Sequence, residues 1–384
     1  MSYKKYPVSI PELSGNEKKY LNDALDTNWI SSTGKYVDSF ENNFSEYLNI
    51  NHTITVSNGT VALHLALVAL GVQKDDEVIV SNHNGVYGPF AIEYVGAKPI
   101  FIESKKDTWN IDPSLIEEKI TKKTKAIMIV HIYGYACDMK AIMKIAKKHN
   151  LKVIEDAAES HGASIDGMKC GTFGDISIFS FYANKIITSG EGGAVVTNDD
   201  ELALKCRYYK NLCFKINGPR DFQHSDIGYN YRMSNLHAAL LCAQLEKIDY
   251  YIDKRNDCFN NFKNYFLSSD LDNFFSFPKP EIDSFNVAWV NVIKLENTNI
   301  NINDLRFELS KVGIDSRNLF YPSHKQLFLK NGSPNESFSI SEDLYLKGMY
   351  VPSGSNLEKK DILYISKTIE KTFSELKANN DKNS

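Results

Sequence analysis

The stretch VIEDAAESHGASIDGMKCGTFGDISIFSFYANKIITSGEGGAVVTND, residues 153–199, decides how this chain folds. Short apolar runs lie at its start and within it, at 152–155, 176–180 and 193–197, and most of the runs in this part of the chain are too evenly apolar to have one face in water. An evenly apolar run of this length is typical of a strand covered on both faces, as in a parallel sheet between layers of helices.

The same pattern extends upstream of this stretch. Further apolar runs lie at 54–57, 77–81, 99–102 and 126–131, and amphipathic segments between the runs lie at 60–70, 113–119 and 139–149. Strands that alternate with helices predict an α/β domain with a mostly parallel sheet flanked by helices. We expect this large domain to span residues 1–260, including an N-terminal helical segment.

The pattern changes after the Phe-Pro-Lys-Pro sequence at 277–280. One strand-like segment and two helix-like segments follow, at 286–294, 303–312 and 361–377. They predict a smaller α+β domain over residues 261–376. The final residues, 377–384, are almost entirely polar, and we expect a disordered tail there.

Composition excludes several classes of function. The 44 basic and 48 acidic residues are mixed along the chain, so neither nucleic acid nor a membrane surface is an expected partner. No apolar segment is long enough for a signal peptide or a membrane span. The six cysteines form no CxxC pair, which favours reduced thiols over disulfides or zinc. We therefore expect a cytoplasmic protein without a metal and with a small-molecule partner.

Two chemically useful side chains follow the apolar runs of the deciding stretch. Asp156 comes at the end of the first run, and Lys185 follows five positions after Ser180, the end of the second. Because the carboxyl ends of parallel strands meet at one edge of a sheet, we expect the carboxylate and the amine to converge there. A third strand end carries the sequence Ser-Asn-Gly-Thr at 57–60, directly before a helix.

These three features together predict a site for pyridoxal 5'-phosphate. The cofactor needs an amine for an imine bond and a carboxylate that keeps its pyridine nitrogen protonated. A helix N-terminus offers N–H groups to its phosphate. A single lysine is usually a surface charge, and the Ser-Asn-Gly-Thr sequence is also an ordinary helix cap. The order of all three at successive strand ends favours the cofactor site.

The chain resembles the sugar aminotransferases of the DegT/DnrJ/EryC/StrS family. The resemblance covers nearly the whole chain and is carried by NWISSTGKY (28–36), VSNGTVALHLALVALGV (56–72), VHIYGYACDM (130–139), IEDAAESHGA (154–163), SFYANKIITSGEGG (180–193), GYNYRMSNLHAAL (228–240), GIDSRNLFYPSH (313–324) and VPSG (351–354). It implies the aspartate-aminotransferase architecture known as fold type I.

The resemblance also implies roles for single residues. Lys185 would form the Schiff base with the cofactor and carry the proton during the reaction. The cofactor-binding residues would be Asp156 at the pyridine nitrogen, Glu159 near the ring's 3-oxygen, Gly59 and Thr60 at the phosphate through their backbone amides, and Ser180 through its hydroxyl. A variant group in the family has histidine at the lysine position, so Lys185 favours transamination.

A homodimer with shared active sites is a further implication, because Asn230 would reach the phosphate from the other subunit. The expected amino donor is L-glutamate. Three residues at the start of the small domain, Arg317, Tyr321 and His324, are candidates for substrate binding, since an arginine and a histidine suit an anionic group. An ordinary turn at Tyr321-Pro322 is the alternative interpretation of this segment.

One region departs from the family pattern. Relatives have an aromatic residue that stacks on the cofactor ring, and alignment over residues 78–99 places Gly85 at that position. Glycine offers no aromatic face. Either His83 or Tyr87 stacks on the ring instead, or the ring is covered in another way.

The acceptor ketone is left open between two classes. The family resemblance favours a nucleotide-linked 4-keto-6-deoxyhexose. The alternative is a small phosphorylated ketone such as dihydroxyacetone phosphate, which would give serinol phosphate. A third possibility, a binding protein that kept the fold and lost the chemistry, is disfavoured by Lys185, Asp156 and Asn230.

Overall fold

The chain folds around one large sheet with helices on both faces. The structure, a computed structural model, describes residues 4–215, 222–329 and 336–383. The strands of the large sheet are β1 (His52–Val56), β2 (Glu77–Ser81), β3 (Lys98–Ile102), β4 (Thr124–Val130), β5 (Lys152–Asp156), β8 (Ile176–Ser180) and β9 (Gly193–Thr197). Their order is β1-β9-β8-β5-β4-β2-β3.

Most of this sheet is parallel. Strand β9 runs antiparallel to β1 and β8, and every other neighbouring pair is parallel. Alternate side chains of one strand enter different apolar clusters, since Ile127 and Ile129 belong to one and Ala126 and Met128 to the other. Both faces are therefore covered, and the predicted α/β class is confirmed.

Eleven α-helices lie in the described residues. They are α1 (Glu17–Asp26), α2 (Lys35–Leu48), α3 (Gly59–Ala69), α4 (Tyr87–Tyr94), α5 (Met139–His149), α6 (Asp200–Lys210), α7 (Asn235–Leu245), α8 (Ile248–Leu267), α9 (Ile302–Lys311), α10 (Ser339–Lys347) and α11 (Lys359–Asn383). The segment 113–119 forms two short 3₁₀ turns in place of the predicted helix, Pro113–Leu115 and Glu117–Lys119.

Two smaller sheets complete the fold. Strands β10 (Phe275–Ser276), β12 (Asn291–Leu295), β14 (Gly348–Val351) and β13 (Arg317–Asn318) form an antiparallel sheet in that order. The third sheet is made of two-residue strands, β11 (Ser284–Phe285), β6 (Ser164–Ile165) and β7 (Met168–Lys169).

Helix α8 joins the core of the large sheet to the core of the four-stranded sheet. Tyr251 and Ile252 pack in the former, whereas Phe262 and Phe266 pack in the latter. The domain boundary predicted at residue 260 falls inside this helix and stays a prediction.

The C-terminal segment differs from its prediction. Helix α11 continues to Asn383, whereas a disordered tail was expected from residue 377; Ser384 lies outside the described residues. No glycine or proline interrupts this polar sequence, so the helix that begins in the core can continue.

Two findings bear on the kind of protein this is. In the part of the chain that the structure describes, no helix is both long enough and apolar enough to cross a membrane. All six cysteines are buried free thiols.

Candidate active site

A cavity of about 510 Å³ lies at the carboxyl ends of β5 and β8. This edge of an open α/β sheet is where ligands bind. The structure brings seven of the predicted residues together in the cavity lining: Gly59, Thr60, Tyr87, Asp156, Glu159, Ser180 and Lys185. They come from segments up to 126 positions apart in the sequence, from Gly59 to Lys185.

One end of the cavity is formed by the start of helix α3. The Asn58 side chain caps the helix by accepting a hydrogen bond from Val61 N over 3.0 Å. The first N–H groups of a helix have no acceptor within it, so those of Gly59 and Thr60 are available to an anion. A Cβ at Gly59 would lie 2.8 Å from Ser180 Cβ, so only glycine permits this approach of the helix to β8.

Asp156 is buried at the end of β5. Its Oδ1 accepts a hydrogen bond from Ala158 N over 3.1 Å. Burial raises the pKa of this carboxyl, while the charge of Lys185 acts in the opposite direction. A cationic ring nitrogen beside it would favour the ionised form.

Lys185 and Glu159 form a buried pair in the cavity. Lys185 Nζ is 3.9 Å from Glu159 Oε1 and 4.0 Å from the centroid of the Trp289 ring. Burial lowers the pKa of Lys185, and the carboxylates of Glu159 and Asp156 oppose this shift. Burial also raises the pKa of Glu159 to about 7. The amine is thus shifted toward the neutral form that can act as a nucleophile or base.

The backbone that carries Lys185 is held by two residues that the sequence analysis missed. Arg255 donates from Nη1 to Trp289 O over 2.7 Å and from Nη2 to Lys185 O over 3.1 Å. Trp289 Nε1 donates to Asn184 O over 2.9 Å. Arg255 lies on helix α8 and Trp289 just before β12, and no local motif sets either residue apart.

An aromatic wall bounds the cavity on the side of the four-stranded sheet. The ring of Tyr133 lies nearly parallel to those of Trp289 and Phe320, with centroid distances of 6.3 Å and 5.3 Å, and the Trp289 and Phe320 rings lie 6.5 Å from each other. Trp289, Phe320 and Tyr350 line the cavity. Glu159 Oε2 accepts a hydrogen bond from Tyr133 N over 2.7 Å, so the wall also orients the carboxylate beside Lys185.

His83 and Tyr87, the two candidates for covering the cofactor ring, lie in different places. Tyr87 lines the cavity and is 52% exposed. His83 is fully buried behind the wall and does not line the cavity.

Asn230, which was predicted to reach the phosphate in the other subunit, lies outside this cavity. Asn230 is exposed, and its Oδ1 accepts hydrogen bonds from Arg232 Nε over 3.1 Å and Nη2 over 2.7 Å. Because the oxygen takes both donors, the Asn230 NH₂ group is left to donate elsewhere.

The structure does not bring the predicted substrate residues Arg317, Tyr321 and His324 into the cavity. Arg317 forms an ion pair with Asp315, and the ring of Tyr321 packs edge-on against that of Tyr345.

His324 is buried, and both of its ring nitrogens already have partners. Its Nδ1 is 3.0 Å from Asn82 Oδ1, and its Nε2 is 3.2 Å from Glu342 Oε1. His324 N also donates to Asn82 Oδ1 over 2.9 Å. In this conformation His324 links its segment to Asn82, which directly follows β2. The local sequence does not indicate this contact.

The described residues fit pyridoxal phosphate. The cavity holds a carboxylate for the ring nitrogen, a buried amine and a helix N-terminus at which a Cβ on residue 59 would collide with Ser180. Among the described residues, no group of His, Cys, Asp and Glu is arranged to hold a metal ion.

Comparison with known proteins agrees with this geometry. A model of the DegT/DnrJ/EryC1/StrS aminotransferase family matches residues 11–370. The GDP-perosamine synthase of Escherichia coli O157:H7 is 43% identical, over 96% of this chain and 99% of that protein. The GDP-perosamine synthase of Vibrio cholerae is 40% identical over the same shares. Helicobacter pylori PseC, an aminotransferase of pseudoaminic acid biosynthesis, superposes with a TM-score of 0.90 at 26% identity, covering 97% of this chain and 100% of that one.

The contact between Glu159 and Lys185 predicts a pH effect. Since the negative charge of Glu159 raises the pKa of the lysine, Glu159→Gln lowers it further. The pH midpoint for combination of pyridoxal phosphate with apo-protein, followed by visible absorbance, should move to lower pH. Burial raises the pKa of Glu159 to about 7, so its carboxylate is charged mainly above that pH. The difference in cofactor binding between Glu159→Gln and the unsubstituted protein should therefore be largest above pH 7.

Glu191→Gln is the control for this measurement. Glu191 lines the same cavity but is exposed and does not perturb Lys185. An unchanged midpoint in Glu159→Gln, or an equal shift in the control, contradicts the assigned coupling.

Proposed function

Because the chain belongs to the DegT/DnrJ/EryC1/StrS aminotransferase family, whose members depend on pyridoxal phosphate, we propose that it aminates the ketone of a nucleotide-linked 4-keto-6-deoxyhexose, with L-glutamate as donor. That it is an aminotransferase with an amino donor and a keto acceptor follows from the family. The nature of the sugar and the donor is the proposal.

One observation carries the choice of acceptor. Relatives that are 43% and 40% identical over 96% of this chain are synthases of GDP-perosamine, a nucleotide-linked amino sugar. The likeness extends through the segments that line the cavity and through the four-stranded sheet. A small phosphorylated ketone is the alternative, and the same experiment tests it.

Lys185 is the proposed catalytic residue. When bound, the cofactor supplies an aldehyde for a covalent bond to the lysine and a ring that withdraws electrons from the substrate carbon. The buried position of Lys185 and its lowered pKa favour an unprotonated Nζ. Lys185 Nζ would take the α-proton of the amino donor and deliver it to the carbon that carries the aldehyde of the cofactor.

The other cavity residues are proposed to bind and orient the cofactor. Asp156 would accept the N–H of the pyridine ring, and Glu159 would lie near the ring's 3-oxygen. The N–H groups of Gly59 and Thr60, with the Ser180 hydroxyl, would hold the phosphate. The buried start of α3 and the close approach of Gly59 to Ser180 support this assignment.

A second subunit is proposed to complete the site. Lys185 is the only cation among the described residues that line the cavity, which also contains Asp156, Glu159 and Glu191. A cofactor phosphate and an anionic substrate need further positive or N–H groups. Asn230, with its oxygen held by Arg232, presents its NH₂ group on the exposed surface and suits a neighbouring subunit's site.

The roles of Arg317, Tyr321 and His324 in substrate binding stay predictions. Arg317 pairs in register with Tyr350, a cavity residue, but its guanidinium would have to leave Asp315 to reach a substrate. A cytoplasmic location also stays a proposal, supported by the six free thiols.

The proposed reaction is tested in two half-reactions. Incubation with L-glutamate should release 2-oxoglutarate and leave an aminated enzyme, which is then freed of glutamate and offered one ketone at a time. A GDP-linked 4-keto-6-deoxyhexose should be aminated, whereas dihydroxyacetone phosphate should not react. Lys185→Ala is the control and should release no 2-oxoglutarate, because it lacks the proton carrier.

Two results contradict the proposal in different ways. Amination of dihydroxyacetone phosphate alone would replace the nucleotide sugar by the small ketone. Absence of both a visible cofactor band and the glutamate half-reaction in the unsubstituted protein would leave a binding protein without the chemistry.

The shared site is tested by mixing two inactive or weakened variants. Lys185→Ala protein and Asn230→Ala protein should regain activity after subunit exchange, because one hybrid site then has both native residues. Exchange is verified with differently tagged subunits. Lack of recovery in verified hybrids would place Asn230 in the site of its own subunit or outside any site.

A further inference from the structure

We propose that Tyr87 covers one face of the cofactor ring and that Gly85 lacks a side chain so that the phenol ring can lie there. This inference rests on the proposed function, because it needs pyridoxal phosphate in the cavity. It assigns a cofactor contact to a residue two positions beyond the one that family alignment indicates.

The first support is the space around Gly85. A Cβ built on Gly85 would lie 2.8 Å from Tyr87 Cδ2 and 2.9 Å from Tyr87 Cε2. Carbon atoms do not approach this closely without displacement. The ring of Tyr87 thus occupies the volume that a side chain at residue 85 would fill. Phe320 Cε1, in the aromatic wall, is 3.7 Å from the same point.

The second support is the position of Tyr87 in the cavity. It is the first residue of α4, which follows the carboxyl end of β2, and it lines the cavity together with Asp156 and Lys185. Burial raises the pKa of Tyr87, and the charges of Glu159 and Asp156 add to this shift. Glu159 and Asp156, the carboxylates proposed to flank the cofactor, line the same cavity as Tyr87.

The exposure of Tyr87 suits a ligand-covered ring. The residue is 52% exposed although it lines the cavity. A flat ligand stacked on the phenol would remove apolar surface from water, and an electron-poor pyridinium ring stacks favourably on a π-face. The phenol hydroxyl stays protonated at neutral pH, since its pKa is raised.

His83, the other candidate, is committed elsewhere. Tyr133 OH accepts a hydrogen bond from Phe320 N over 3.1 Å and forms a second hydrogen bond with His83 Nε2 over 3.2 Å. Burial lowers the pKa of His83 to about 3, which keeps the imidazole neutral. Its ring packs on Tyr133 and Phe320 behind the wall. His83 supports the wall and does not reach the cofactor.

The test is a double-mutant cycle on the dissociation constant of pyridoxal phosphate, measured by titrating apo-protein and following visible absorbance. Tyr87→Leu removes the aromatic face and should weaken binding by roughly three- to tenfold. Tyr87→Phe, the matched control, keeps the ring and should bind within about twofold of the unsubstituted protein.

Gly85→Ala supplies the second arm of the cycle. The added methyl group must push the Tyr87 ring aside, so this variant should also weaken binding in the presence of Tyr87. In Gly85→Ala/Tyr87→Leu the ring is gone, and the alanine should cause little further loss. The two effects are then strongly non-additive. Urea unfolding of each apo-protein checks that the fold is kept.

Each outcome decides between defined alternatives. Binding by Tyr87→Leu within twofold of the unsubstituted protein, or an undiminished effect of Gly85→Ala in the Tyr87→Leu background, overturns the inference. Failure of the unsubstituted protein to bind pyridoxal phosphate would instead contradict the proposed function.

Discussion

Strand β5 ends in two consecutive buried carboxylates, Glu155 and Asp156, and the rest of the site depends on how they are separated. Side chains alternate across a strand, so one carboxylate enters the packed side of the sheet while the other lines the cavity. Glu155 accepts hydrogen bonds from Gly171 N over 2.8 Å and from Phe173 N and Gly174 N, each over 2.6 Å. His131 Nε2 adds a fourth at 3.1 Å, because its Nδ1 already accepts from Cys137 N. These donors offset the cost of burying a charge and lower the pKa of Glu155 despite its burial. They fix the loop that leads into β8, and so bring Ser180 and Lys185 beside Asp156.

The region of the four-stranded sheet also helps to position Lys185, from the opposite side of the cavity. Arg255 and Trp289 hold the backbone of Asn184 and Lys185, so the position of the lysine depends on residues far beyond the large sheet. Tyr133 connects the two parts, since its ring stacks on Trp289 and Phe320 while its N–H orients Glu159. Burial of Lys185 in these low-dielectric surroundings shifts its amine toward the neutral form.

Periodicity predicted the large sheet well, because a strand buried on both faces leaves an evenly apolar run that few other structures produce. Three strands, Glu77–Ser81, Ile176–Ser180 and Gly193–Thr197, have the predicted bounds. The carboxyl ends of parallel strands lie at one edge of a sheet, and this rule correctly predicted that Asp156, Ser180 and Lys185 lie close together. Arg255 and Trp289 could not be predicted in this way, since their roles arise from contacts between distant segments. His324 illustrates a different limit of residue type: a histidine suggests a substrate ligand, but in this structure its ring contacts Asn82 and Glu342, and its role in binding stays a prediction.

In the proposed function Asp156 has the central role, because the electron-withdrawing power of the cofactor depends on a protonated ring nitrogen. The most direct measurement is the rate of 2-oxoglutarate release from L-glutamate by Asp156→Asn protein saturated with pyridoxal phosphate. The amide keeps the shape of the side chain but removes its charge, so the cofactor should still bind while the rate falls at least about a hundredfold. A rate within tenfold of the unsubstituted protein would contradict the role assigned to this carboxylate at the end of β5.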